Sequence, residues 1–131
     1  MAPIKWVKRC YFVGPTKKAL SAMPAELKNA VGNSLYLAQI GREAENVKVL
    51  KGFGGGGVLE VVEDFDGSTY RAVYTVRYST GVYVLHVFQK KSKSGIATPK
   101  HEIELIKSRL MVAEGHYSNL LQQGVRHDET H

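Results

Sequence analysis

Residues 70–95 read YRAVYTVRYSTGVYVLHVFQKKSKSG, and the fold turns on how this stretch is read. Tyr70, Ala72, Tyr74, Val76 and Tyr78 share one parity, while Arg71, Thr75 and Arg77 share the other. That period of two predicts a strand over Tyr70 to Tyr78 with one packed face, and it points Arg71 away from the core. Ser79, Thr80 and Gly81 make a short turn. Val82 to Phe88 is apolar on both parities except for His86, as expected of a strand covered on both faces near the middle of a sheet. The strand runs straight into a basic segment, Gln89 to Gly95. A hairpin thus delivers Lys90, Lys91 and Lys93 to one end of the sheet, close enough to share a face with Arg71. This is the expected working surface.

Upstream, Val58 to Glu63 reads as a third strand, with Asp64, Asp66, Gly67 and Ser68 turning into the Tyr70 strand, so Val58 to Phe88 is expected to be a three-stranded antiparallel meander. Four glycines, Gly54 to Gly57, precede it. No Gly-Lys-Ser/Thr follows them and their spacing does not fit a dinucleotide fingerprint, so they read as a turn and no nucleotide cofactor is expected. Lys48 and Lys51 flank that turn and can lie beside the basic run, whereas Glu60, Glu63, Asp64 and Asp66 argue against a uniformly positive surface.

Nearer the N-terminus, Ile4 to Val13 has the content of a strand or a buried extended arm, stopped by Gly14-Pro15. Thr16 is placed to cap a short helix through Met23. Pro24 opens a second helix ending at a C′ glycine, Gly41. In that helix Leu27, Ala30 or Val31, Leu35 and Ala38 form a stripe for the sheet, and Gly32 weakens it by about 1 kcal/mol, a cost that close packing would explain. Downstream, Thr98 as N-cap and Pro99 at the first helical position open a helix with the stripe Ile103, Ile106, Leu110 and Ala113, which Gly115 is positioned to end. One domain over residues 1–117 is expected, followed by a polar, frayed tail over 118–131. His127 and His131 have i,i+4 spacing but no third ligand, so no metal site is expected.

With 131 residues and 44% hydrophobic content, the chain suits one domain with a real core. A net charge of +6 suggests a polyanionic partner: nucleic acid, an acidic protein segment or a membrane surface. A single cysteine, Cys10, excludes an intramolecular disulfide and any multi-Cys zinc site and fits a reducing cytoplasm. No apolar run reaches the length of a membrane span, and the charges from Lys5 to Arg9 interrupt a signal-peptide core, so a soluble cytoplasmic protein is expected.

Several segments, taken together and in order, carry a family resemblance. They are Trp6-Val7, the helix end Tyr36 to Gly41, Leu50 to Gly54, Tyr70 to Tyr74, Val84 to Ser92 and Thr98 to Ile103. Over roughly residues 4 to 113 the chain resembles the phage-derived HigB-like toxins of the RelE/ParE superfamily. The resemblance implies an α+β fold, with N-terminal helices on a small twisted antiparallel sheet and a C-terminal helix. It also implies the toxin of a type II toxin–antitoxin pair that cleaves mRNA on the ribosome without metal or other cofactor. The implied partners are a cognate antitoxin of helix-turn-helix type, within a higher-order complex, together with mRNA and the ribosome.

Metal-free RNA cleavage uses the ribose 2′-oxygen as nucleophile. It requires removal of that proton, neutralisation of charge on the pentacoordinate phosphorus and protonation of the departing 5′-oxygen. Arg71, in a Tyr-Arg-x-x-Tyr strand motif where RelE-like enzymes carry a phosphate-contacting arginine, is the expected charge stabiliser. Lys90 and Lys91 join it as catalytic candidates. Lys48, Lys51, Arg77 and Lys93 are candidates for RNA contact. His86 has the chemistry to transfer protons, but its apolar neighbours favour a satisfied core histidine. No tyrosine follows the basic run before Tyr117, so the base-stacking tyrosine of the RelE pattern has no counterpart, and the general base and acid stay unassigned. Three functions compete on one fold: mRNA endonuclease, ParE-like gyrase inhibitor and noncatalytic nucleic-acid-binding module. The Arg-bearing strand and the lysine cluster favour the first.

Overall fold

The computed structural model describes residues 7–90 and 98–124. Lys91, Lys93, His127 and His131 lie outside them, as do Ile4 and Trp6. In chain order the elements are β1 (Arg9–Phe12), α1 (Thr16–Ser21), α2 (Ala25–Gln39), β2 (Val47–Val49), β3 (Val58–Phe65), β4 (Ser68–Thr75), β5 (Gly81–Lys90) and α3 (Lys100–Gln122). The strands form one sheet in the order β1-β5-β4-β3-β2. It is the expected α+β architecture, antiparallel except that β1 joins β5 in parallel.

Two apolar layers sandwich the sheet. On one side Leu27, Val31, Leu35 and Ala38 of α2 pack on Leu59, Val61, Ala72, Tyr74, Val82, Val84 and Val87. On the other, Ile106 and Ala113 of α3 pack on Val58, Val73, Tyr83 and Leu85. Burying each large side chain contributes roughly 1.5–3 kcal/mol, so both faces are driven closed. The β3–β4 turn is two residues, Asp66 (φ 52°) and Gly67 (φ 81°), between the paired Phe65 and Ser68. Positive φ at both positions matches the twist of the flanking strands, which fixes the meander's register.

Helix ends depart from expectation in instructive ways. Gly41, at φ 80°, closes α2 as a left-handed C′ residue, with Arg42 N–H donating to Leu37 O at 2.7 Å. Thr16, however, does not cap α1: Pro15 holds the N-cap position, and Thr16 is buried with its hydroxyl 3.5 Å from Val84 O. Pro99 rather than Thr98 is the N-cap of α3, because Thr98 donates to Glu60 Oε2 at 2.8 Å. Gly32 has nothing within 4 Å of where a Cβ would stand, so close packing does not account for it. Gly115 does not end α3, which continues to Gln122. Tertiary contacts override that glycine's weak preference. Tyr117 packs on Tyr78 at 5.0 Å between centroids, and His116 shares a 2.6 Å hydrogen bond with Tyr83. Residues 118–122, expected in the frayed tail, are helical.

Cys10 packs against the α2-side core, and burial pushes its thiol up to about 11, which suits a packing residue rather than a reactive one. No helix among the described residues is long and apolar enough to cross a membrane. Among the described residues no cluster of His, Cys, Asp and Glu could hold a metal ion.

Candidate nucleic-acid interface

A register shift decides which side chains meet. Val73 pairs with His86 but Tyr74 pairs with Val84, leaving Leu85 as the extra residue of a β-bulge. Strict alternation would put His86 on the α2 side with Val82 and Val84. The bulge instead turns the consecutive residues Leu85 and His86 both toward α3. Beyond it, Val87 returns to the α2 side while Phe88 and Lys90 face α3.

The sheet face under the start of α3 therefore presents two main rows. One runs Lys48, Glu60, Val73, His86 across β2, β3, β4 and β5, and the next runs Val62, Arg71, Phe88. Arg71 and Lys90 are diagonal neighbours, roughly 7–8 Å apart. Lys48, exposed on the edge strand, lies two strand spacings from the β4 row, on the order of 10 Å. Arg71, Lys90 and Lys48 thus share one face. Lys51 and Arg77 do not join them: both sit at the opposite end of the strands, where Arg77 donates through Nη2 to Phe53 O and packs over Gly57. The run from Thr69, opposite Lys90, to Thr75 spans about 20 Å, and Arg77 lies beyond it.

Arg71 points away from the α2-side core, as its parity requires, but not into solvent. It is 3% exposed and its Nη1 donates to Glu60 Oε1 at 3.0 Å and to Thr98 Oγ1 at 3.4 Å. Glu60 is 1% exposed and accepts from Thr98 as well. The expectation of an outward-pointing arginine is corrected because α3 covers the second face. A guanidinium buried against a carboxylate serves first to tie β3, β4 and the start of α3 together.

His86 completes a second knot. Its Nε2 lies 2.8 Å from Glu102 Oε1 and its Nδ1 3.2 Å from Arg109 Nη1, which also donates to Leu85 O at 3.0 Å. A guanidinium only donates, so Nδ1 accepts and the ring proton sits on Nε2, directed at Glu102. Burial holds His86 below its ordinary value, and Arg109 opposes a second ring proton. With both nitrogens engaged, this is the satisfied core histidine that its apolar neighbours favoured. Among the described residues this face carries Lys90, half-buried, and Lys48, exposed, with Asp64 between them in the sheet, where it accepts from Thr69 at 2.9 Å. Glu102 and Arg109 were not singled out from sequence, and Thr98 and Glu60 were read only as an N-cap and as part of an acidic counterweight to the basic run. The one available signal was Glu60, an acidic residue at a position that strand parity assigns to a buried face.

The family model for phage-derived protein Gp49-like (DUF891) matches residues 18–111, more than two thirds of the chain. The chain belongs to the Gp49-like family. That family is associated with toxins of toxin–antitoxin systems. In this Gp49-like protein the matched span runs from α1 to within α3 and includes the bulge, Glu60, Arg71, His86, Lys90, Glu102 and Arg109. No curated protein and no solved structure matches the chain.

Proposed function

We propose that the protein is the toxin of a type II toxin–antitoxin pair and a metal-independent endoribonuclease that cleaves mRNA, with the ribosome as the setting of cleavage. The observation that carries this reading is the shared α3-side face of Lys48, Arg71 and Lys90 in a chain of net charge +6. In the proposed reaction the ribose 2′-oxygen loses its proton and attacks the adjacent phosphorus, and the P–O5′ bond breaks. The products are a 2′,3′-cyclic phosphate and a 5′-hydroxyl that takes up a proton. Lys90 neutralises charge on the non-bridging oxygens as it grows, the role in which one preorganised donor contributes about 10²- to 10³-fold. Arg71 acts as a positioning residue: through Glu60 and Thr98 it fixes the start of α3 against the strand that ends in Lys90. Lys48 holds a flanking phosphate, and Lys91 and Lys93 extend the basic run on the sequence argument alone. Lys51 and Arg77, at the far end, contact RNA or ribosome outside the scissile nucleotide. The cognate antitoxin, a helix-turn-helix protein, covers the basic face in the cytoplasm.

The test is expression of wild type and Lys90→Ala, with primer extension on cellular mRNA and end-group analysis of the fragments. Expected are discrete mRNA cuts that bear 2′,3′-cyclic phosphates and persist in excess chelator, and are strongly reduced in Lys90→Ala at unchanged Tm. A 5′-phosphate product with a strict metal requirement overturns the mechanism. Toxicity with intact mRNA and induced DNA damage supports gyrase inhibition instead.

A further inference from the structure

Beyond the basic face, the structure contains a cleft that the reading above leaves unused. Strand β1 accompanies β5 only as far as the Phe12–Val84 pair, followed by the Val13 N–H to Val84 O bond. From Leu85 onward, among the described residues, no strand lies beside that edge of β5, and α1 packs there instead. Between the edge and the α1–α2 junction is a cavity of about 220 Å³, walled by Ala19, Ala22, Met23, Tyr70, Phe88 and Gln89 among others. It is smaller than the roughly 300–1,000 Å³ of drug-sized ligand sites, and suits one planar ring system rather than a whole nucleotide.

Its walls are mostly aliphatic, with one ring, Tyr70, and one amide, Gln89. Tyr70 is held edge-on by Phe65 at 6.5 Å between ring centroids. Phe88 lines the cleft along the strand, with its ring turned to the α3 side and stacked on His86 at 4.4 Å. Gln89 donates through Nε2 to Ser68 Oγ at 2.9 Å, an orientation that fixes its carbonyl oxygen as an acceptor. The next residue is Lys90, whose side chain lies on the α3 face. A strand of RNA crossing the edge of β5 would have a phosphate at Lys90 and a base within reach of the cleft.

We infer that this cleft is a base-binding subsite that accepts one nucleobase of single-stranded RNA against Tyr70, with Gln89 reading the base edge and Lys90 holding the adjoining phosphate. The inference rests on RNA being the substrate, as proposed above. Stacking platforms are tolerant of base identity, and a single amide gives a modest preference, so the subsite biases where the chain is cut without imposing a strict code.

The experiment measures binding of short single-stranded RNA oligonucleotides in which one abasic position is moved along the chain, so that phosphates are kept while bases are removed in turn. With the wild-type protein, one abasic position is expected to weaken binding by roughly 5- to 150-fold. In Ala22→Trp, which fills the cleft from an exposed position, that loss is expected to shrink to about twofold or less, while the salt dependence, set by phosphates, stays the same. Gln89→Ala is expected to keep binding but change the base found at cut sites in cellular mRNA. A flat abasic scan, with RNA bound and cut and both variants like wild type, overturns the subsite and leaves the nuclease reading intact. RNA neither bound nor cut removes both. Loss of antitoxin binding in Ala22→Trp with RNA binding unchanged assigns the cleft to a protein side chain and overturns the inference.

Discussion

Replacing Arg71 by alanine is expected to destabilise the protein by about 3–5 kcal/mol, the cost of leaving one member of a buried ion pair without the other. The magnitude follows from the burial of both partners: Glu60 is 1% exposed and Arg71 3%, so water cannot solvate the carboxylate that remains. The Thr98 hydroxyl still donates to Glu60 at 2.8 Å and offsets part of this, which favours the lower end of the range. For a domain of this size each kcal/mol moves Tm by about 3–4 °C, so a fall of roughly 10–20 °C is expected. The assay is thermal and urea unfolding of Arg71→Ala, Glu60→Leu and the double variant Glu60→Leu/Arg71→Met. Removing both charges in favour of apolar side chains of similar reach should restore most of the lost stability, because no charge then remains buried. A Tm for Arg71→Ala within about 3 °C of wild type would refute the reasoning, as would a double variant as unstable as the sum of the singles. The result also conditions every toxicity assay. Against a total stability of about 5–15 kcal/mol, loss of toxicity in Arg71→Ala reports catalysis only where the variant is shown to be folded.

Lys90→Ala and Lys48→Ala should each reduce the slope of log K against log salt for single-stranded RNA by about 0.7, with Tm nearly unchanged; an unaltered slope would place the phosphates elsewhere. Because burial lowers the His86 pKa, the unfolded chain takes up the proton first as pH falls below about 6.5. Stability should therefore be constant above that pH and decline below it, and His86→Gln should flatten this part of a Tm–pH profile. Gly32→Ala should stabilise by about 0.5–1 kcal/mol in urea unfolding, since the site is open and helical. Gly81→Ala should destabilise: a Cβ there would stand 2.6 Å from the Tyr11 ring and 3.1 Å from Arg9 O, and backbone cannot yield as a flexible side chain can.

The sequence carried the meander, the two apolar strands and the α2 stripe, because each rests on local periodicity that tertiary structure only reinforces. Its errors share one cause. Parity told correctly that Arg71 opposes Tyr70 and Ala72, but not that α3 lies over that opposite face, since coverage is a property of a helix about thirty residues away. The same helix draws Thr98 from its capping role to Glu60 and carries the chain past Gly115 onto Tyr78 and Tyr83. The bulge at Leu85 was hidden for a different reason. In a run apolar on both parities an extra residue leaves the pattern unchanged, so nothing local marks where alternation is broken. Yet that one residue sets the side of the sheet for His86, Phe88 and Lys90. Were Leu85 taken into a regular ladder rather than bulged out, Lys90 would lie on the α2 face, away from Arg71 and Lys48, and Gln89 would exchange places with it. The division of labour proposed here, phosphate on one side of the β5 edge and base in the cleft beside it, thus depends on a backbone irregularity. Deleting Leu85 should close the ladder with His86 still opposite Val73 and Lys90 still opposite Thr69, so that both keep the α3 side and the variant loses a buried leucine. Stability should therefore fall in that deletion while its folded fraction keeps RNA binding, whereas Lys90→Ala loses binding; a folded deletion variant that no longer binds RNA would refute the face assignment.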